Sequence, residues 1–352
     1  MSAMAAVAPQ PAPASHGFRV GRTFLGPAFD YLVIGGGISL LAAAFAVSGL
    51  GGPVLAWFGN WFALILLLVN LTHFAASTVR LYTKPGAYRE LPFLTMGLPL
   101  VTLVVLALAV RFPAALGTNL MNLYFTWSPY HYAAQAYGLS VMYCYRSGVS
   151  LVPYDKVLLR LACLSPFLYS FFRGPVAGIE WFVPGPVLAQ PTVAAVRTAL
   201  VYGLGAITLL APLALALRAV WRGPALPVIT LLVIASNAVW WTAFFYLGAF
   251  GWATVFHGLQ YLAIVSIFHV KDQMALPENK HRPLYHAAWF YLVCLAMAYL
   301  LFKVWPYAFV AAGFGLAQSA LLVVATINVH HFIVDAYIWK IRKDRNYRTV
   351  VA

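Results

Sequence analysis

INVHHFIVDAYIWKIRK, residues 327–343, decides how the chain is read. An apolar run ends in a burst of lysine and arginine. Inside the run sit two adjacent histidines and an aspartate. An apolar segment closed by cations reads as a transmembrane helix meeting the cytosol. Ionisable groups within such a segment are expensive, and they usually face a bundle interior or a cavity. The stretch therefore sets two questions: how many such helices there are, and what the imidazoles and the carboxylate face.

The rest of the chain matches it. Of 352 residues, 63% are hydrophobic and 9% are charged, and the mean hydropathy is +0.83. A water-soluble domain carries roughly a quarter charged residues. So few charges cannot cover a surface in water, so the chain reads as an all-α, polytopic transmembrane helix bundle with the lipid bilayer as its partner. The formal net charge of +14 raises nucleic acid as a partner. The basic residues lie in short loops between apolar spans, where membrane topology explains them, and nucleic acid is excluded. Cys144, Cys163 and Cys294 fall in or beside apolar segments without metal or disulfide spacing.

About 20 apolar residues cross the hydrocarbon core. Ten runs qualify, near 28–50, 53–79, 92–111, 117–145, 154–172, 196–218, 225–248, 250–270, 285–302 and 307–340. One set of loops is basic: Arg19 and Arg22; Arg80, Lys84 and Arg89; Arg146 and Lys156; Arg218 and Arg222; Lys271, Lys280 and Arg282; and the tail with Lys340, Arg342, Lys343, Arg345 and Arg348. The intervening turns carry few or no cations. This alternation predicts both termini in the cytoplasm, in a bacterial inner membrane. Residues 1–24, rich in Ala and Pro, read as a disordered cytosolic tail and not a cleaved signal. Residues 25–340 form one transmembrane domain, and 341–352 a basic cytosolic tail. No 20-to-50-residue repeat is visible. Arg80, Lys84 and Arg89 read as topology signal, with a lipid phosphate as the alternative.

The polar residues inside the spans are few. His73, His131, His257 and the His330–His331 pair lie on spans two, four, eight and ten, and Asp335 is the one acid well inside a span. Counting 1.5 Å per residue from the cytoplasmic ends puts His131 and His257 ~20 Å deep, His330 and His331 ~15 Å, and His73 and Asp335 ~10 Å. Tilted helices can bring most of them around one cavity. Asn70, Gln135, Gln260 and Asp335 stand three or four residues from His73, His131, His257 and His331. That spacing shares a helix face, and a metal-bound imidazole needs an acceptor to fix its tautomer. His330 and His331 point ~100° apart, so both need not reach one site.

Four readings follow. Polar side chains can hold helices together by interhelical hydrogen bonds. Imidazoles with one carboxylate suit a metal ion, non-haem iron first, zinc or copper next. His131 and His257, at equal depth, could be axial ligands of haem. The same groups could relay protons in a transporter, whose mark is a discontinuous helix; Pro129 is the candidate break. Tyr130, Tyr132, Tyr137, Trp127, Trp240, Trp241, Tyr261 and Tyr337 cluster near the polar positions. Packing and interfacial anchoring explain most of them.

The blocks THFAASTVRLY, SPYHYAAQAYG, FHGLQYL and NVHHFIVDAYIWK resemble signature blocks of a group of bacterial polytopic membrane proteins. In architecture the chain is similar to the Brp/Blh carotene-cleaving membrane oxygenases, all-helical proteins that hold iron with histidines from several spans. That family's Pro-His-Gly motif is absent here. The boxes HxxxH and HxxHH of membrane desaturases do not fit either.

The expectation is a metalloenzyme of about ten helices acting on a lipophilic substrate. Metal ligands come from His73, His131, His257, His330 and His331. Asp335 completes the set or orients His331, and Tyr132 is a further catalytic candidate. Asn70, Gln135 and Gln260 support the ligands. Iron is the expected cofactor, with haem as the other candidate, and an electron donor is a candidate partner.

Overall fold

The computed structural model describes residues 16–49, 52–174, 179–248, 250–311, 313–339 and 350. Ten helical segments follow in chain order. They are α1, in two halves Pro27–Ile34 and Gly37–Val47; α2, Phe62–Thr83; α3, Phe93–Arg111; α4, Thr118–Arg146; and α5, Pro153–Arg173. Then come α6, Pro191–Trp221; α7, Val228–Trp241; α8, Phe250–Met274; α9, Pro283–Ala311; and α10, Leu316–Ile338. Among the described residues the fold is all-α but for two parallel two-residue strands, Phe18–Arg19 and Leu226–Pro227.

Each apolar run of the sequence coincides with one of these helices, but not all are equally fit to cross a membrane. Six are long and apolar enough, namely α2, α3, α6, α8, α9 and α10, and the bent α1 would make a seventh. The other three fall short for separate reasons. α7 has only 14 residues, about 21 Å of helix. α5 carries Asp155, Lys156 and Arg160. α4 is 29 residues long but holds Asn119, Asn122, Ser128, His131 and Gln135, of which Ser128 and His131 are buried in the bundle.

Three boundaries differ from the sequence reading. The run 53–79 is interrupted at Trp61, so that a separate helix, Gly52–Asn60, precedes α2. α9 continues through a π-helical turn, Leu300–Val304, to Ala311. Residues 307–311 therefore belong to α9, not α10. Pro129 lies inside α4, which runs unbroken through it. A sharp bend of 57° divides the two halves of α1. Gly36 makes it with φ +82°, and a Cβ there would collide with Ser236 of α7.

The centre of the bundle is α8 and α10, both 67% buried over their most apolar window, while α6 is only 11% buried. α10 packs on α2, α3 and α4; α8 packs on α2 and α9; α7 covers α4, and α5 and α6 form an outer pair. At the end of α2, Arg80 is buried and ion-paired with Asp272 of α8 at 2.6 Å, so it ties two helices together.

Of the tail expected over 1–24, residues 1–15 lie outside the described residues, and 16–24 form a strap fastened to the bundle. His16 Nδ1 meets the Gly223 carbonyl at 2.7 Å, and Arg19 donates to the Ser147 carbonyl. Buried Asp30 accepts from the backbone N–H of Phe24, Leu25 and Gly26 and from the Tyr143 hydroxyl. The basic tail 341–352 lies outside the described residues except Val350, whose carbonyl accepts from Arg146.

Candidate metal centre

α2, α4, α8 and α10 each turn one histidine toward a common point. The imidazole centroids of His73 and His257 are 5.0 Å apart, His131 and His257 5.2 Å, His73 and His331 5.0 Å, and His131 and His331 4.9 Å. His73, His257 and His331 are fully buried, and His131 is 9% exposed. The close approach of α8 to α2 depends on Gly258. A Cβ there would lie 3.1 Å from His73 Nδ1 and 3.3 Å from the Asn70 Cα.

The tightest geometry joins three helix positions. His131 Nε2 and His331 Nε2 are 3.3 Å apart. Asp335 Oδ2 lies 3.6 Å from the first and 3.4 Å from the second. The point equidistant from these three atoms is about 2.0 Å from each, the circumradius of that triangle, and this is the bond length of a metal–imidazole contact. His73, His131 and His257 also offer ligand atoms within 4.8 Å of one another. His131 belongs to both groups.

Hydrogen bonds fix which nitrogens face inward. His73 Nδ1 donates to the Asn70 carbonyl at 2.6 Å, which leaves Nε2 with its lone pair and no hydrogen-bond partner. His331 Nδ1 bonds Ser77 Oγ at 2.9 Å, which directs Nε2 to the centre. Tyr261 donates to Asp335 Oδ1 at 2.6 Å, leaving Oδ2 free of hydrogen bonds. Neither nitrogen of His257 has a hydrogen-bond partner. Buried polar atoms are normally satisfied. A group of orphaned lone pairs around a carboxylate is what a bound cation satisfies, and its charge offsets the cost of burying the anion.

Several sequence expectations change in detail. His331 joins the centre, whereas His330, though buried, belongs to neither ligand group. Asp335 faces His331 Nε2, so it stands among the ligand atoms and does not orient that ring through Nδ1. Asn70 supports His73 through its backbone carbonyl, not its amide. Gln135 and Gln260 are placed by other bonds than to an imidazole: the Gln135 amide donates to the His257 carbonyl at 3.3 Å and to the Gln260 amide oxygen at 3.5 Å. They join α4 to α8 beside the site. Tyr132 meets it through its ring face, stacked on His257 with centroids 3.9 Å apart. Ser77 and the Asp335 contact of Tyr261 were not anticipated. Each stands four residues after a ligand histidine, the spacing that could have revealed them.

Beside the triangle opens a cavity of about 310 Å³ between α4, α8 and α10. His131, Asp335, Tyr261 and Gln135 form its polar end, and the remaining walls include Trp127, Leu139, Met142, Ile264 and Phe332. His269 and His286 sit elsewhere, in a second cavity of about 350 Å³ at the ends of α2, α8 and α9. It lies three turns along α8 from His257, about 18 Å away.

No family model, curated protein or solved structure matches the chain. What it does has to be argued from this centre and its cavity.

Proposed function

We propose that the protein is a membrane-embedded, non-haem metalloenzyme that acts on a lipophilic substrate. The observation that carries this reading is the triangle of His131 Nε2, His331 Nε2 and Asp335 Oδ2, sized for one metal ion, with His73 and His257 facing it. Two imidazoles and a carboxylate are the donor types of non-haem iron oxygenases, and iron is the metal this reading favours. Such an ion supplies dioxygen activation and Lewis acidity.

The chain's own residues have definite tasks in this scheme. Ser77 and the Asn70 carbonyl hold His331 and His73 in the tautomers that present Nε2. Tyr261 holds Asp335 and places a hydroxyl proton at the edge of the site. The apolar walls keep bulk water from the reacting carbon. If both oxygen atoms enter the substrate, no electron donor is needed; if one does, two electrons must come from a partner. Haem fits less well, because the four rings lie about 5 Å apart on all sides and leave no slot for a macrocycle between His131 and His257.

The membrane arrangement we favour counts all ten helices as spans, with both termini in the cytoplasm of a bacterial inner membrane. The alternation of basic and cation-poor loops supports it. In that arrangement the polar face of α4 is shielded by α7, α8 and α10, and so its low hydropathy is no obstacle.

The test is elemental mass spectrometry of the detergent-purified protein together with its visible spectrum. About one iron per chain without a Soret band supports the proposal. A Soret band would replace it with haem electron transfer. Absence of both metal and colour would leave a proton-coupled transporter or a hydrogen-bonded scaffold.

A further inference from the structure

The cavity beside the centre has a shape and a mouth that restrict what can enter it. Tyr130, Ala134, Gly138 and Met142 line it and recur every four residues, so they form one stripe along α4. The stripe is about 18 Å long. About 310 Å³ along that length is an elongated cleft, open along part of its side, and not an enclosed round chamber. Two of the four wall positions are the smallest residues available. A Cβ added at Gly138 would meet no atom within 4 Å. Glycine in a helix interior is unfavourable, and here it leaves empty space beside the stripe where any side chain would intrude.

The chemistry of the wall is equally selective. His131, Gln135, Tyr261 and Asp335 supply polar groups to it, and no lysine or arginine stands among its described lining residues. A carboxylate or phosphate lodged along the apolar walls, away from the centre, would be desolvated without a cationic side chain to pair with. The opening lies on the outside of the bundle beside the polar end: Tyr130 on α4 is 47% exposed and Ala336 on α10 is exposed as well, each next in sequence to His131 or Asp335. Both positions lie on helices read as membrane spans, so in that arrangement the opening faces lipid, and the Ala134–Gly138 stripe extends from it along α4.

We infer that the substrate is the uncharged end of a slender hydrocarbon chain, which enters sideways from the lipid between α4 and α10. Ala134 and Gly138 set the bore, and they select single chains over bulky or charged ligands. The inference rests on the metalloenzyme reading for what happens at the polar end, but the entry route and the ligand class are testable without it.

The experiment places a single cysteine in the stripe, Gly138→Cys, after Cys144, Cys163 and Cys294 have been replaced by alanine. Protein in liposomes is treated with N-hexadecylmaleimide or with a sulfonated, membrane-impermeant maleimide, with and without a metal chelator. The expected result is rapid modification by the hexadecyl reagent alone, slowed at least tenfold by Tyr130→Trp at the mouth. Ala134→Cys, one turn away, repeats the test should Gly138→Cys fold poorly. Modification by the sulfonated reagent would overturn the inference in favour of a water-filled path. Failure of both reagents at both positions would overturn it by showing the bore closed. Labelling by the hexadecyl reagent in protein that binds no metal would sustain the lipid bore and sink the metalloenzyme reading. Bound metal without labelling would do the reverse.

Discussion

His131 and His331 present their Nε2 atoms to each other at 3.3 Å across the interface of α4 and α10, with Asp335 Oδ2 closing the triangle. Two neutral imidazoles can share one proton there, but two lone pairs and a carboxylate converge more naturally on a cation. His330, the neighbouring residue, is turned out of this arrangement by the 100° step of the helix. The pair therefore separates by substitution. His331→Ala removes bound metal almost completely, and His330→Ala leaves it near the wild-type level, both read by elemental analysis of purified protein that still elutes as a monodisperse species. Equal metal content in the two variants would show that His331 is only packed there.

Ser77 reaches the centre only through His331 Nδ1, at 2.9 Å. Removing a hydrogen bond of this kind costs about 10–100-fold in metal affinity without removing a ligand. Ser77→Ala is expected to bind metal that far more weakly in chelator competition, and Ser77→Thr, which keeps the hydroxyl, to recover most of the loss. An unchanged affinity in Ser77→Ala would mean that another contact holds the ring.

Asp335 and Tyr261 divide the roles differently. Asp335→Asn replaces a charged ligand atom by a weak one and should abolish metal retention. Tyr261→Phe only frees Asp335 Oδ1, whose bond to the tyrosine is 2.6 Å, and should lower affinity by about the 10–100-fold of an outer-sphere change. The ranking is the test. If Tyr261→Phe loses as much metal as Asp335→Asn, the tyrosine is itself a ligand.

The sign of the pH effect follows from the donor set. Imidazoles bind a metal in the neutral form, so the loaded protein carries fewer protons than the empty one. Affinity therefore falls as pH falls, and metal release should increase on acidification and never on raising the pH. Equilibrium dialysis against a fixed free metal concentration measures it. Metal release that increases as the pH is raised would assign the binding to groups other than histidine.

How much of this is legible in the sequence depends on the kind of constraint. A helix facing lipid must be apolar along its length, so the approximate positions of the ten helices can be read from composition, but the break at Trp61 and the end of α9 at Ala311 cannot. Whether α4 counts as a span cannot, since Ser128, His131 and Gln135 look unfavourable until α7, α8 and α10 are seen to pack around them. The four helices that carry the centre can likewise be named, because ionisable groups in apolar runs are so rare. The roles of their neighbours cannot. Positions four residues after a histidine hold Ser77, Gln135, Tyr261 and Asp335, and these meet His331 Nδ1, the backbone of α8, the Asp335 carboxylate and the His131–His331 pair respectively. Helical spacing says which residues share a face. What each one meets is decided by the opposite helix, and that is tertiary information.

The strap of residues 16–26 supplies a last prediction, independent of any metal. Asp30 is buried at the start of α1 and collects three backbone N–H groups and the Tyr143 hydroxyl. Tyr143 belongs to α4, so one carboxylate fastens the N-terminal strap to a helix of the centre. Asp30→Ala leaves several of these donors without a partner, and each orphaned buried donor costs about 1–3 kcal/mol. Thermal unfolding in detergent should begin several degrees lower, and the strap, the least embedded segment, should become the first site of limited proteolysis. Metal content should be unchanged, because the ligands on α2, α4, α8 and α10 keep their own contacts. Loss of metal in Asp30→Ala would show that the position of α4, and with it His131, is set from the strap as well as from the bundle core.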